Sequence, residues 1–231
     1  MKIAGVQRVT LIDYPDRIAA TVFIAGCNLD CGFCHNRWMI SERDVTEVMS
    51  PQSFLDWLAT RVGKLDGVCI TGGEPLMAAD LPSLIEGMRG LGFAVKLDTN
   101  GFFPERLRAL LEAGQLDYVA MDVKAPLDER YNLAAGKAVD LSRLRASMTL
   151  LRDGDIPWEF RTTVHPLLDE QALLDIGRAL EPHDTWILQP FVAADTVLES
   201  IRAQRSLSVE QLEELLARLQ ELVPGVSIRG D

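Results

Sequence analysis

The chain has 231 residues, 48% of them hydrophobic, and 34 Asp and Glu outweigh 23 Lys and Arg to leave a formal net charge of −11. That length and apolar content suit one domain with a full core, and the acidity argues against a nucleic-acid surface, which would be basic. No apolar run approaches the roughly 18 residues of a membrane span, no apolar leader is visible, and reduced thiols imply a reducing compartment, so a cytoplasmic protein is expected.

Residues 1–18 read as an N-terminal extension. Residues 19–24 read as a buried strand that runs straight into a loop rich in cysteine. Ser50-Pro51 then caps a helix with Phe54, Leu55, Leu58 and Val62 on one face. Residues 67–71 form a second strand, followed by a helix from about Leu81 carrying Leu84, Ile85, Met88 and Leu91. A third strand covers 93–97; Pro104 opens the next helix and Gly114 closes it. Residues 117–121, 158–164 and 185–189 are the fourth, fifth and sixth strands, separated by leucine-rich helical sequence. The last helix, about 208–223, starts at Ser208 with Gln211 in capping-box position and a stripe of Leu212, Leu215, Leu216, Leu219 and Leu222. Six β-α repeats imply a parallel sheet with right-handed crossovers. The chain falls short of the about 250 residues of a closed eight-fold barrel. The expected fold is therefore α/β, an open (β/α)6 partial TIM barrel, as a single domain over 1–231.

The chemistry concentrates where strands end. Cys27-Asn28-Leu29-Asp30-Cys31-Gly32-Phe33-Cys34 is a C-x3-C-x2-C run. Three thiolates that close can hold three corners of an iron–sulfur cube, and a [4Fe–4S] cluster bound wholly by protein takes four Cys. Cys69 is far along the chain and reads as a buried strand residue, so one iron is left open for chemistry. Three other readings compete. Cys31 to His35 spells the attachment signature of c-type haem, but leaves Cys27 unexplained and needs export. A zinc site could recruit His35, yet adjacent Cys34 and His35 seldom reach one ion. A thioredoxin-like C-x-x-C needs no third cysteine.

The other polar clusters follow the next strands. Gly72-Gly73-Glu74-Pro75 offers a backbone that can approach a ligand, and a carboxylate. In Asp98-Thr99-Asn100-Gly101, Asp98 and Thr99 offer hard oxygen ligands. Asp122-Val123-Lys124 places one negative and one positive group on the same side of an extended segment, a pairing suited to a zwitterionic amino-acid ligand. In barrels and open α/β sheets such loops at the carboxyl ends of strands are the functional ones.

These motifs together resemble the radical S-adenosylmethionine (radical SAM) superfamily. Thr10-Leu11-Ile12-Asp13-Tyr14-Pro15-Asp16-Arg17-Ile18, Cys34-His35-Asn36, Leu97 through Phe102, Asp122-Val123-Lys124, Tyr131 through Gly136 and Arg161 narrow the likeness to the activating enzymes of glycyl-radical proteins. Within that group the chain is most similar to those of anaerobic ribonucleoside-triphosphate reductase, with pyruvate formate-lyase activating enzyme a close relative. The resemblance implies that Cys27, Cys31 and Cys34 ligate a [4Fe–4S] cluster. It implies that Phe33, Cys34 and His35 line the adenine side of S-adenosylmethionine, and that Gly72, Gly73 and Glu74 meet its methionine amine. Asp122, Val123, Lys124 and Arg161 would meet its ribose and carboxylate, and Asp98 and Thr99 resemble a monovalent-cation site. The implied reaction is reductive cleavage of S-adenosylmethionine, fed by a flavodoxin or ferredoxin. The resulting 5′-deoxyadenosyl radical takes hydrogen from a glycine of the partner reductase.

Two positions depart from the pattern. Asp16 stands where relatives have Gly. Val192 falls where relatives that activate pyruvate formate-lyase have a His near the adenine, and its side chain cannot hydrogen-bond. Asp13, Tyr14 and Pro15 are expected near the open rim, on the path of an incoming glycine loop. His165 and His183, beside prolines, receive no role. A small-molecule radical SAM enzyme such as 7-carboxy-7-deazaguanine synthase and a non-catalytic electron-transfer protein stand as alternatives.

Overall fold

The computed structural model describes residues 1–46 and 48–229. Among them eight strands hydrogen-bond in chain order, from β1 to β8. They are β1 (Ile3–Thr10), β2 (Ala19–Ile24), β3 (Gly67–Gly72), β4 (Ala94–Thr99), β5 (Tyr118–Asp122), β6 (Trp158–Val164), β7 (Trp186–Pro190) and β8 (Val226–Ile228). The helices between them are α1 (Pro51–Ala59), α2 (Leu81–Gly90), α3 (Pro104–Glu112), α4 (Arg130–Ala135), α5 (Leu141–Arg152), α6 (Glu170–Ala179), α7 (Glu199–Arg202) and α8 (Val209–Gln220). The strand-helix alternation read from the sequence is therefore the observed α/β order, with parallel pairing among β2–β4 and among β6–β8 and an antiparallel β1 beside β2.

Two compact units make up the chain. The first holds Met1–Asn28, Trp38–Ala120 and Ser142–Pro157; the second holds Leu29–Arg37, Met121–Leu141 and the chain from Trp158 onward. In the first unit β2, β3 and β4 pair in parallel, with Thr21 beside Cys69 and Cys69 beside Lys96. Ile24, Ile70 and Leu97 are fully buried there. In the second unit β6, β7 and β8 pair in parallel, with Phe160 beside Trp186 and Trp186 beside Val226.

Local signals placed the helices well. The Ser50 side chain accepts from Ser53 N and Pro51 sits in the first turn of α1, while Ser208 and Gln211 form a reciprocal capping box on α8. The stripe on α1 ends with Leu58, because the helix stops at Ala59 and Val62 lies beyond it, exposed.

Three expectations change. A strand, β8, follows the last helix, where the sequence reading placed none. The N-terminal extension contains a strand, β1, antiparallel to β2. Its register shifts twice, between Ile3 and Gly5 and between Gln7 and Thr10. Such bulges break the alternation of buried and exposed residues that would reveal a strand in sequence. The position of Asp13-Tyr14-Pro15 is also corrected. The loop carrying them precedes β2, and its partners are at the start of β3: Ile18 N donates to the Asp66 carboxylate, Asp66 N to Ile18 O. A Cβ on Gly67 would meet the Tyr14 ring at 2.9 Å. This loop therefore lies at the amino ends of β2 and β3, opposite the ends that bear the cysteine loop and the glycine pair.

Candidate cofactor site

In the first unit three loops leave the carboxyl ends of β2, β3 and β4. Gly72 adopts φ +128°, open to glycine at little cost. A Cβ on Gly72 would lie 2.3 Å from Ile24 O, and one on Gly73 2.1 Å from Gly26 O. The absence of side chains lets Gly73 N donate to Ile24 O at 2.9 Å and Glu74 N to Gly26 O at 2.7 Å. The close approach that the glycine pair allows is thus to the chain entering the cysteine loop, which fixes the backbone before Cys27.

Glu74 is fully buried. Its Oε1 accepts from Leu76 N at 3.0 Å and from Thr99 Oγ1 at 2.8 Å, and its Oε2 accepts from Asn100 N at 2.6 Å. The carboxylate ties the end of β3 to the end of β4, which leaves the backbone of this stretch as its part in the expected contact with a ligand amine. Asn100, which received no role, continues the chain of contacts. Its Nδ2 donates to Asn28 Oδ1 at 2.7 Å and lies 3.9 Å from Cys27 Sγ. The cation-site expectation for Asp98 and Thr99 is also altered. Neighbours on a strand point to opposite faces. The Thr99 hydroxyl goes to Glu74, and the Asp98 carboxylate goes to the ammonium of Lys96. The two side chains do not converge on one ion.

In the second unit the charges expected together are together. Lys124 Nζ lies 2.8 Å from Asp122 Oδ2, and Arg161 Nη2 and Nε lie 3.1 and 3.2 Å from Asp122 Oδ1. Arg161 is not a surface salt bridge: its side chain is 14% exposed. Burial would raise the Asp122 pKa, but the Lys124 and Arg161 charges outweigh it and hold the carboxyl at about 2. Burial would lower Lys124, and the Asp122 charge reverses this and raises it. All three groups are ionised at neutral pH. Val123 contributes backbone: its N donates to Arg161 O at 2.8 Å, and its carbonyl accepts from Thr162 Oγ1 at 2.7 Å.

The part of the cysteine loop in this unit is held on several sides. Asp30 N donates to Ala135 O at 2.9 Å, and Gly136 (φ +70°) follows, where a Cβ would sit 2.0 Å from Asp30 O. Only glycine admits that approach. Arg37 pairs with the Asp30 carboxylate at 2.7 Å and donates to Cys31 O at 3.2 Å. Phe33 stacks on His165 with centroids 3.7 Å apart and 17° between planes. His165 is fully buried, and its Nε2 lies 2.9 Å from Lys124 O. A carbonyl only accepts, so Nε2 carries the hydrogen. Burial drives the His165 pKa down to about 4, leaving a neutral ring. Sequence reasoning missed this residue because nothing in the chain order pairs residue 33 with residue 165. At the Val192 departure it is the backbone that makes a contact: His35 Nε2 lies 2.7 Å from Val192 O.

The donor set fits an iron–sulfur group. Cys27, Cys31 and Cys34 are reduced thiols. Burial pushes Cys31 up to about 11, partly opposed by Lys124, and burial likewise raises Cys34. A buried thiol that resists ionisation gives up its proton to a metal ion that supplies the compensating charge, and soft sulfur donors suit iron–sulfur chemistry. Among the described residues no three His, Cys, Asp or Glu side chains gather on one metal ion; a cluster takes one thiolate per iron. Cys69 lies on β3, fully buried, with Lys96 Nζ 3.7 Å from its sulfur.

The profile of the Radical SAM superfamily matches residues 21–180. The chain belongs to that superfamily. This radical SAM enzyme is 28% identical, over 98% of its own length and 95% of the relative's, to a Methanocaldococcus jannaschii protein provisionally named a glycyl-radical enzyme activating enzyme. A shorter match, 40% identical over 38% of this chain and 36% of the other, is to the 7-carboxy-7-deazaguanine synthase of Hyperthermus butylicus. Among solved structures, a domain of a pyruvate-formate lyase-activating enzyme from Bacteroides vulgatus superposes with TM-score 0.57 at 17% identity, covering 71% of this chain and 99% of that one. That likeness is one of fold. The family implies a [4Fe–4S] cluster and S-adenosylmethionine.

Proposed function

We propose that this radical SAM enzyme installs a glycyl radical on a partner protein, anaerobic ribonucleoside-triphosphate reductase. The observation that carries the reading is the likeness to the Methanocaldococcus jannaschii protein, which runs over 98% of this chain and 95% of that one. Cys27, Cys31 and Cys34 hold the cluster. When bound, cluster and S-adenosylmethionine together supply a carbon-centred radical able to take a hydrogen atom from a glycine Cα. The chain's own residues bind and orient. Lys124 and Arg161, both cationic, receive the ligand's carboxylate, and Asp122 hydrogen-bonds its ribose or amine. By the family resemblance, the backbone at Gly72-Gly73-Glu74 meets the methionine amine. Phe33, braced by His165, and His35, braced by Val192 O, present the adenine side. A flavodoxin or ferredoxin would deliver the electron.

The local match to 7-carboxy-7-deazaguanine synthase favours a second reading, a small-molecule radical SAM enzyme acting on a pterin. Anaerobic reconstitution with the candidate reductase, followed by EPR, separates the two. A glycyl doublet on the reductase is the expected result. Turnover of the pterin without a doublet on any glycyl-radical partner refutes the activator reading.

A further inference from the structure

The side-chain amide of Asn100 has two ends with different duties. The residue is 4% exposed and stands in the turn that leaves β4. Within the first unit that turn is clamped from several sides. The buried Glu74 carboxylate accepts from Asn100 N at 2.6 Å, and Thr99 Oγ1 accepts from Gly101 N at 3.1 Å. From α5, Ser147 Oγ donates to Gly101 O at 2.6 Å and Arg143 Nε donates to Phe102 O at 2.8 Å. Asn100 Oδ1 accepts from Phe102 N at 3.2 Å. A backbone N–H only donates, so the oxygen end of the amide must face it, and that fixes where the Nδ2 end points. An amide nitrogen carries two hydrogens. Asn28 Oδ1 takes one at 2.7 Å; the second is left for Cys27 Sγ, 3.9 Å away, at the outer reach of an N–H···S contact.

A sulfur that gains negative charge attracts a hydrogen-bond donor more strongly, so a donor held at a cluster thiolate favours the reduced cluster and raises its potential. Resting on the cluster reading given above, we propose that Asn100 is a positioning residue that sets how readily the cluster accepts its electron, acting through the sulfur of Cys27. A neutral amide does this without adding a charge. The clamped turn holds it at the sulfur in either oxidation state, so electron uptake asks for little movement there. Glu74 then has a part in the same device, because its grip on Asn100 N keeps the amide in place.

The test is the midpoint potential of the anaerobically reconstituted enzyme without S-adenosylmethionine, by EPR-monitored redox titration, with iron and sulfide counted. The potential is read on the cluster itself, so the outcome does not depend on which substrate the radical meets. Asn100→Ser keeps a small polar group for Phe102 N but cannot reach Cys27. Its cluster should be about tenfold harder to reduce, which is roughly 59 mV for a one-electron couple. Asn28→Ala leaves the Asn100 amide at the sulfur, and its reduction equilibrium should stay within about twofold of the parent's. Should Asn100→Ser not hold iron, Asn100→Asp keeps the shape and the acceptor for Phe102 N while losing both amide hydrogens, and the same downward shift is expected. An Asn100 variant at the parent's potential overturns the proposal, and so does an equal fall in Asn28→Ala. Loss of iron from both Asn100 variants overturns it as well, because the residue would then hold the loop together and not tune it. A parent that takes up no cluster refutes the cluster reading itself, and the proposal with it.

Discussion

His165 makes the stability of this protein depend on pH in a window set by one ring. The ring is fully buried, donates through Nε2 to Lys124 O at 2.9 Å and stacks on Phe33. Burial lowers its pKa from 6.5 to about 4. The unfolded chain therefore takes up the proton first as the solution is acidified. The contribution is fully present above pH 6.5 and declines as pH falls from there toward 4. A tenfold change in proton affinity is worth about 1.4 kcal/mol, so the full loss is roughly 3 kcal/mol and about 2 kcal/mol of it has gone by pH 5. Asp122 does not confuse this window: its native pKa of about 2 costs stability only as pH falls below the usual carboxylate value of 3.8. Urea unfolding of the cluster-free protein at pH 7.5 and pH 5 is the assay. With a slope of about 2–3 kcal/mol per molar urea, the midpoint should fall by roughly 0.7–1 M. His165→Gln, which keeps an amide donor for Lys124 O and does not titrate, should lose most of that difference. An equal drop in parent and variant would refute the reasoning, because the proton would then be binding elsewhere.

Further outcomes follow from the same geometry. Reconstituted enzyme should hold about four iron and four sulfide, Cys27→Ala, Cys31→Ala and Cys34→Ala should each lose them, and Cys69→Ala should keep them; iron analysis and absorbance decide. Lys124→Ala should retain the cluster yet bind S-adenosylmethionine roughly ten- to a hundredfold more weakly, since one charge-assisted contact is worth about 1.5–3 kcal/mol; equal titration curves would sink the assignment. Gly136→Ala forces a Cβ against Asp30 O from a left-handed backbone, which costs on the order of 1–3 kcal/mol in strain. It should shift the cysteine loop and lower iron occupancy while Gly114→Ala, also at positive φ but with open space around it, spares the iron; equal iron content in the two variants would show that the contact at Asp30 does not hold the loop.

Much of this protein was legible because its signals are local. Three cysteines within eight residues, a proline or serine at a helix start, and a polar cluster after each apolar run need only near neighbours, so the strand-helix order and the places where chemistry sits follow from the chain alone. Asp122 and Lys124 are two residues apart on an extended segment, and their contact is nearly a local property as well. Other features depend on residues far apart in sequence. The β1 pairing hides behind two bulges, and the loop at Asp13 goes to the amino ends of the strands because β1 runs antiparallel to β2. Glu74 turns inward because Thr99 and Asn100, brought up by parallel pairing of β3 and β4, supply its donors. Lys96 is stable only because Cys69, Asp98 and Tyr118 surround it, and Phe33 finds His165 across more than half the chain. Sequence determines which groups are available and on which side of each element they stand. Tertiary structure decides which of them lose their water to one another, and that desolvation sets their charges, their hydrogen bonds and whether they face a ligand or hold the site in place.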